Sequence, residues 1–264
     1  MAEVIQSISR TPARIEVAGY LQRIGYLGKA EPNAETLRNL HRAHLLSVPF
    51  ENLDIALKQT IVVDPGSTVR KIVEQRRGGF CYELNGAFAA LLESLSFRVT
   101  LLSARVARED GSFGRDFDHL TLRVDLEEPW LADVGFGDCF LEPLRLDERN
   151  EQEQVGRVFR ITEVENAHLL EEKVGANWKK QYCLTLQPRQ ISDFAEMCHF
   201  HQTSPESHFT RNSVCTRATS DGRITVTDTK LVITRNGVRE ERPLAGREER
   251  DRILEEQFGI LLRA

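Results

Sequence analysis

Arg76-Arg77-Gly78-Gly79-Phe80-Cys81-Tyr82-Glu83-Leu84-Asn85-Gly86 runs two glycines into a cysteine at the head of a helical pattern. Apolar residues recur at Phe80, Leu84, Phe88, Leu91, Leu92 and Leu95, the three-and-four spacing of one helix face. Gly78 and Gly79 permit a sharp turn into that helix, because glycine tolerates positive φ. Cys81 then stands in the first turn, where unpaired N–H groups and the helix dipole favour an anion. A thiol placed there tends toward thiolate, the reactive form. The competing reading is a small buried residue beside a turn, since free cysteine is among the most buried residue types.

Toward the N-terminus the pattern stays helical. Ile15, Ala18, Leu21, Ile24 and Leu27 share a face, and Gly25 and Gly28 loosen its end. Asn33 before Glu35-Thr36-Leu37 reads as a capped start, and Leu37, Leu40, His44, Leu45 and Val48 continue one face until Pro49 stops it. Pro49-Phe50-Glu51-Asn52-Leu53-Asp54 reads as a loop that either lines a site or anchors Phe50 in the core while Asn52 caps backbone. Residues 68–75 form a short helix with Val69, Ile72 and Val73 inward. Arg76-Arg77 reads as a solvated pair, or as an aid to a phosphate.

Past the cysteine helix, near Ser96, the period changes to two. Residues 98–106 are strand-like and 108–118 form a polar loop. Residues 119–126 alternate, with Leu120, Leu122, Val124 and Leu126 on one face and His119, Thr121, Arg123 and Asp125 on the other. After a turn at Glu127-Glu128-Pro129, further strands are expected over 130–134, 155–164, 168–173 and 178–186, giving a barrel or curled antiparallel sheet. Pro188 breaks the pattern. A helix over 191–200, a loop over 202–207, strands over 213–219, 223–228 and 230–234, an Asn236-Gly237 hairpin turn and a helix over 247–262 complete the chain.

The chain has 264 residues, 28% charged and 41% hydrophobic, with a net charge of −5. That composition is an ordinary globular one and lacks the basic face that nucleic-acid binding wants. Residues 1–10 lack the basic flank and apolar core of a secretory signal, and no apolar run reaches membrane-spanning length. Five widely spaced cysteines (81, 139, 183, 198 and 215) with no C-x-x-C point to reduced thiols in a cytoplasmic protein.

Three residues then suggest one chemistry. A nucleophilic thiol needs a base to take its proton, and the base needs an orienting acceptor. Cys81 at a helix start, His119 at the start of a strand and Asp133 at the end of the next strand supply them in the chain order of papain-like enzymes. Cys198-His199-Phe200-His201 raises the question of zinc. A second cluster is missing, and a helix sets those side chains on different faces, so no metal is expected. Gly135-Phe136-Gly137 is a tight turn or part of a phosphate loop, and Cys139 is a second thiol, reactive or a spectator.

The residues resemble the arylamine N-acetyltransferase family along nearly the whole chain. The motifs are Tyr20-Leu21-x-Arg23-Ile24-Gly25-Tyr26 with Leu37-x-x-Leu40-His41, then residues 49–54, then Arg77-Gly78-Gly79-Phe80-Cys81-Tyr82-Glu83-x-Asn85-Gly86. His119-Leu120, Asp133-Val134-Gly135-Phe136-Gly137 and Thr203-Ser204-Pro205-x-Ser207-x-Phe209 follow in order. The resemblance implies an α+β fold with a papain-like Cys-His-Asp core: a helical bundle (1–97), an antiparallel β-barrel (98–190) and an α/β lid (191–264). It implies ping-pong transfer of acetyl from acetyl-CoA, through Cys81 held by His119 and Asp133, to an arylamine, arylhydroxylamine or hydrazine. By the same resemblance Phe50, Val106, Phe136 and Phe209 line the acceptor pocket, while Gly135, Phe136, Gly137, Thr203 and Ser204 lie near the coenzyme. The chain departs from the family pattern over 107–118 and at Asp138-Cys139, beside the expected site, which bears on acceptor preference. An amide synthase or amide hydrolase on the same triad, and a binding module with a dead triad, are the other readings.

Overall fold

The structure, a computed structural model, describes residues 15–262. The segment 1–10, read above for a signal, lies outside them. The helices α1 (Val17–Ile24), α2 (Ala34–Ser47), α3 (Leu53–Ala56), α4 (Pro65–Val73) and α5 (Cys81–Ser94) come first. Asn33 caps α2, its Oδ1 accepting the Thr36 N–H at 2.9 Å, and Val48 leaves the helix extended ahead of Pro49. Helix α4 starts three residues before the expected Thr68. Asp64 accepts the Ser67 N–H at 2.7 Å and Pro65 takes the first helical position, where its missing N–H costs nothing. Helix α5 is buried all round from Cys81 to Leu92, so the rest of the bundle packs about it.

Eight antiparallel strands follow: β2 (Arg98–Val106), β3 (His119–Asp125), β4 (Pro129–Ala132), β5 (Leu144–Arg145), β6 (Gln152–Gln154), β7 (Arg157–Val164), β8 (Ala167–Val174) and β9 (Asn177–Leu184). Here β1 is the pair Phe50–Glu51, described below. The sheet order is β5-β4-β3-β2-β9-β8-β7-β6, a nearly closed barrel. Strands β5 and β6 are too short to leave a sequence pattern, and side-chain amides tie the seam between them. Gln152 Oε1 accepts the Arg145 N–H at 2.8 Å and its Nε2 donates to Arg145 O at 3.0 Å. Gln154 does the same for Leu141 and Glu142. One amide side chain matches the donor and acceptor of a peptide unit, so the edges are satisfied without a further strand. Phe140, Phe159, Leu170 and Tyr182 fill the barrel, while Leu120, Leu122 and Val124 on the other face of β3 pack with α5.

A 3-10 turn (Ile191–Phe194), α6 (Ala195–Thr203) and α7 (His208–Arg211) lead into β10 (Val214–Thr219), β11 (Gly222–Thr227), β12 (Lys230–Arg235), β13 (Val238–Pro243) and α8 (Arg247–Phe258). The helix expected over 191–200 therefore runs on to Thr203, into the segment read as a loop. Residues 49–54 are a correction too. Phe50–Glu51 is β1, the edge strand of this last sheet, paired antiparallel with β10 (Phe50 opposite Thr216), and α3 follows it. A two-residue strand whose partner lies far along the chain has no local signature. Among the described residues no helix is long and apolar enough to cross a membrane.

Arg77 is neither solvated nor a phosphate ligand. It is buried, with Nε 2.9 Å from Glu51 Oε1 and Nη2 2.7 Å from Asp54 Oδ1. Lys71 joins the cluster at 2.6 Å from Asp54 and 2.8 Å from Glu83. Three carboxylates thus face two cations, and one carboxyl is left over. Burial pushes Glu83 up to about 7 against the pull of Lys71. Asp54, which burial would also raise, is held below its ordinary range by Lys71 and Arg77. Glu83 therefore carries the spare proton. Its folded-state pKa is raised, so its contribution to stability is full below about pH 4.5 and is lost as pH rises through about 7. The melting temperature of wild type is expected to fall from about pH 6 to about pH 8 relative to Glu83→Gln; parallel curves for the two proteins would contradict this assignment.

Candidate active site

Cys81 is the first residue of α5, and Glu83 closes the helix start by accepting the Phe80 N–H at 3.2 Å. The two glycines before it are needed for a different reason than the sequence suggested. Neither takes positive φ; that conformation falls on Arg76, at 54°. A Cβ on Gly78 would lie 1.8 Å from the carbonyl oxygen of Pro49, and one on Gly79 would lie 2.6 Å from the Glu83 carboxylate. The chain is bare there because β1 and the α5 cap press against it.

His119 opens β3 and Asp133 follows β4, so neighbouring antiparallel strands bring them side by side. His119 Nε2 lies 2.6 Å from Asp133 Oδ2, and both residues are buried. The His119 ring is packed by Phe136 edge-on at 5.2 Å and by Tyr182 at 5.2 Å. Asp133 Oδ1 accepts from Asn85 Nδ2 at 2.8 Å and from the Gly135 N–H at 3.0 Å. Burial alone would raise the Asp133 carboxyl; the charge of His119 and these hydrogen bonds hold it below its usual range instead.

Two residues whose roles sequence reasoning missed build this corner. Asn85, one turn after Cys81 on α5, also donates to Leu120 O at 2.6 Å and accepts the Val134 N–H at 2.9 Å. It therefore ties α5 to both strands. His41 of α2 accepts the Asp133 N–H on Nε2 at 3.0 Å and donates from Nδ1 to Leu141 O at 2.8 Å. Burial lowers His41 to about 4, so it stays neutral and keeps the tautomer those two bonds require. Both residues stand in the quoted motifs. The available signal was an Asn and a His on the faces that the apolar positions of α5 and α2 mark as buried.

The turn after Asp133 meets Cys81 directly. A Cβ on Gly135 would fall 2.8 Å from Cys81 Cα and 2.7 Å from Asn85 Nδ2. Gly135 is thus buried against the helix start. Gly137 takes φ +95° beside the Phe50 ring. Cys81 is 4% exposed, and burial pushes its thiol well above the ordinary range, against the backbone N–H of Leu120. Burial thus opposes the thiolate that the helix start favours. Cys139 is also buried, with its thiol pushed up by burial.

Phe50, Phe136, Gly137 and Phe209 line one cleft of about 530 Å³ between the barrel and the last sheet. Val106 is not part of its wall; it sits in β2 opposite Tyr182. Thr203 and Ser204 also lie elsewhere, at the end of α6, with Thr203 Oγ1 donating to His199 O at 2.8 Å. Asp138, at the cleft edge, bridges Arg157 of β7 at 2.8 Å and Arg223 of β11 at 3.2 Å. The Cys198–His201 segment serves packing: Cys198 Sγ accepts from Gln202 at 3.3 Å, and His201 faces Ser207 and Asp118.

A family profile described as N-acetyltransferase matches residues 33–264. The arylamine N-acetyltransferase of Escherichia coli K12 is 34% identical over 245 residues, covering 91% of this chain and 87% of its own. Proansamycin X synthase of Amycolatopsis mediterranei is 32% identical, covering 84% of this chain and 88% of its own. The solved structure of Mycobacterium marinum arylamine N-acetyltransferase in complex with CoA superposes with a TM-score of 0.87 at 30% identity, covering 93% of each chain.

Replacing Asn85 by Ala strands the Val134 N–H and the Leu120 carbonyl away from water, at about 1–3 kcal/mol each. Asn85→Ala is expected to lose about 2–4 kcal/mol in urea unfolding; a loss under about 0.5 kcal/mol, the scale of an ordinary surface substitution, would show that Asn85 does not hold the corner.

Proposed function

The chain belongs to the arylamine N-acetyltransferase family, and from that premise we propose that it transfers acetyl from acetyl-CoA to an arylamine, arylhydroxylamine or hydrazine through a thioester on Cys81. The observation that carries the reading is the 2.6 Å His119–Asp133 contact, buried in the corner where Gly135 rests on Cys81. Asp133 engages Nε2 of His119, which leaves Nδ1 as the nitrogen that takes the Cys81 proton. The thiolate then attacks the thioester carbonyl, and the carbon–sulfur bond to CoA breaks. CoA leaves with the proton that His119 held, and Cys81 carries the acetyl group.

An aromatic amine is neutral at pH 7 and attacks the acyl-enzyme without prior deprotonation. His119 removes the proton from nitrogen as the tetrahedral intermediate forms, and the Cys81 sulfur is expelled. Phe50, Phe136 and Phe209 offer the flat apolar walls that an aryl acceptor wants, and Gly137 leaves the cleft floor open. In this reading Gly135 serves Cys81 rather than the coenzyme.

A second reading is amide synthesis on the same thioester, with the amine supplied by the acyl chain itself. That one relative is named a synthase, proansamycin X synthase, is the ground for keeping it. Intact-protein mass after brief mixing with acetyl-CoA separates the two. Wild type is expected to gain one acetyl group, Cys81→Ala none, and aniline to discharge it. Absence of an acetyl adduct on wild type would overturn the acetyl-transfer reading.

A further inference from the structure

Asp118 stands one residue before His119, and its carboxylate meets a second histidine. His201 Nε2 of α6 lies 3.2 Å from Asp118 Oδ1, and His201 Nδ1 lies 3.1 Å from Ser207 Oγ. His201 and Ser207 are both buried. Ser207 accepts the Phe209 N–H at 3.2 Å, and the tautomer that puts the ring hydrogen of His201 toward the Asp118 carboxylate lets Ser207 donate to Nδ1. The Nε2–H then faces Asp118. That contact is electrostatic rather than a well-aligned hydrogen bond.

The arrangement has the residue types of a serine-hydrolase triad and cannot act as one. Ser207 is 2% exposed and already caps α7. What it does is mechanical. The His201 ring stacks on Tyr82, the residue after Cys81, and meets Phe209 edge-on at 5.3 Å. Tyr82 Oη donates to the carbonyls of Phe117 at 2.8 Å and Asp118 at 3.2 Å. Outside this buried contact, Arg115 and Glu206 repeat the tie at 2.8 Å between the same two loops. His201 thus joins the cleft wall at Phe209 to the backbone that delivers His119.

We propose that His201 is a positioning residue for the acceptor step: it fixes Phe209, in the cleft wall, relative to Asp118 and so to His119. This rests on the acetyl-transfer reading above. On that reading Phe209 faces the aryl acceptor and not the acetyl group, so the two half-reactions separate the claims.

The test is single-turnover acylation of Cys81 by acetyl-CoA, read by intact mass, beside steady-state KM and kcat for aniline and for hydrazine. His201→Ala is expected to load within about twofold of wild type, while KM for aniline rises about tenfold. Hydrazine, too small to need the Phe209 wall, should keep its KM. The His201→Ala, Phe209→Ala double variant should raise KM for aniline no further than the worse single variant. Should His201→Ala fail to fold, Ser207→Ala, which removes only a hydroxyl, is read in the same way. An unchanged KM for aniline, or loading slowed as much as the acceptor step, overturns the proposal. Failure of wild type to load at all overturns the acetyl-transfer reading, and this one with it.

Discussion

Asp133 keeps a negative charge in a fully buried place because donors from three directions meet its carboxylate. His119 Nε2 comes from β3, Asn85 Nδ2 from α5, and the Gly135 N–H from the turn that Asp133 itself begins. A fourth group, His41 of α2, takes the backbone N–H. A buried charge that loses a partner costs about 3–5 kcal/mol. Helix bundle and barrel are therefore tied together here, beside the apolar packing of α5 on β3. Mutual position of the cysteine helix and the histidine strand follows from it.

The thiol is governed by two opposed effects. The helix start and the Leu120 N–H favour a thiolate, while burial disfavours one, and burial wins for the isolated group. A reactive Cys81 thus needs a cation made at the moment its proton leaves, and in the proposed function His119 is the group that becomes it. Its aromatic neighbours, Phe136 and Tyr182, restrict the ring to one orientation. Phe136 also lines the cleft, so one ring borders both His119 and the cleft.

Long periodic segments were legible in the sequence because burial wrote their pattern: α5 from Leu84 to Leu92, β3 by its alternation, α2 by Asn33 and Pro49. Pairings between distant residues were not. Phe50–Glu51 joins a strand near the other end of the chain, and Gln152 and Gln154 close the barrel seam through side chains. Arg77 looks solvated beside Arg76 until Glu51 and Asp54 are brought to it by folding. In the site, Cys81, His119 and Asp133 were visible as reactive types at element starts and ends. Asn85, His41 and His201 were not, because their work lies in hydrogen bonds to residues that the sequence does not place nearby. Gly135 was read as a turn glycine, and its actual constraint, contact with Cys81, is tertiary.

If the His119–Asp133 pair, and not the helix start, makes Cys81 a thiolate, the rate of Cys81 alkylation by iodoacetamide across pH separates wild type from His119→Ala. Wild type is expected to react at neutral pH, whereas His119→Ala is expected to react only above the ordinary thiol range of about 8.5. Equal reactivity of the two proteins at neutral pH would contradict it.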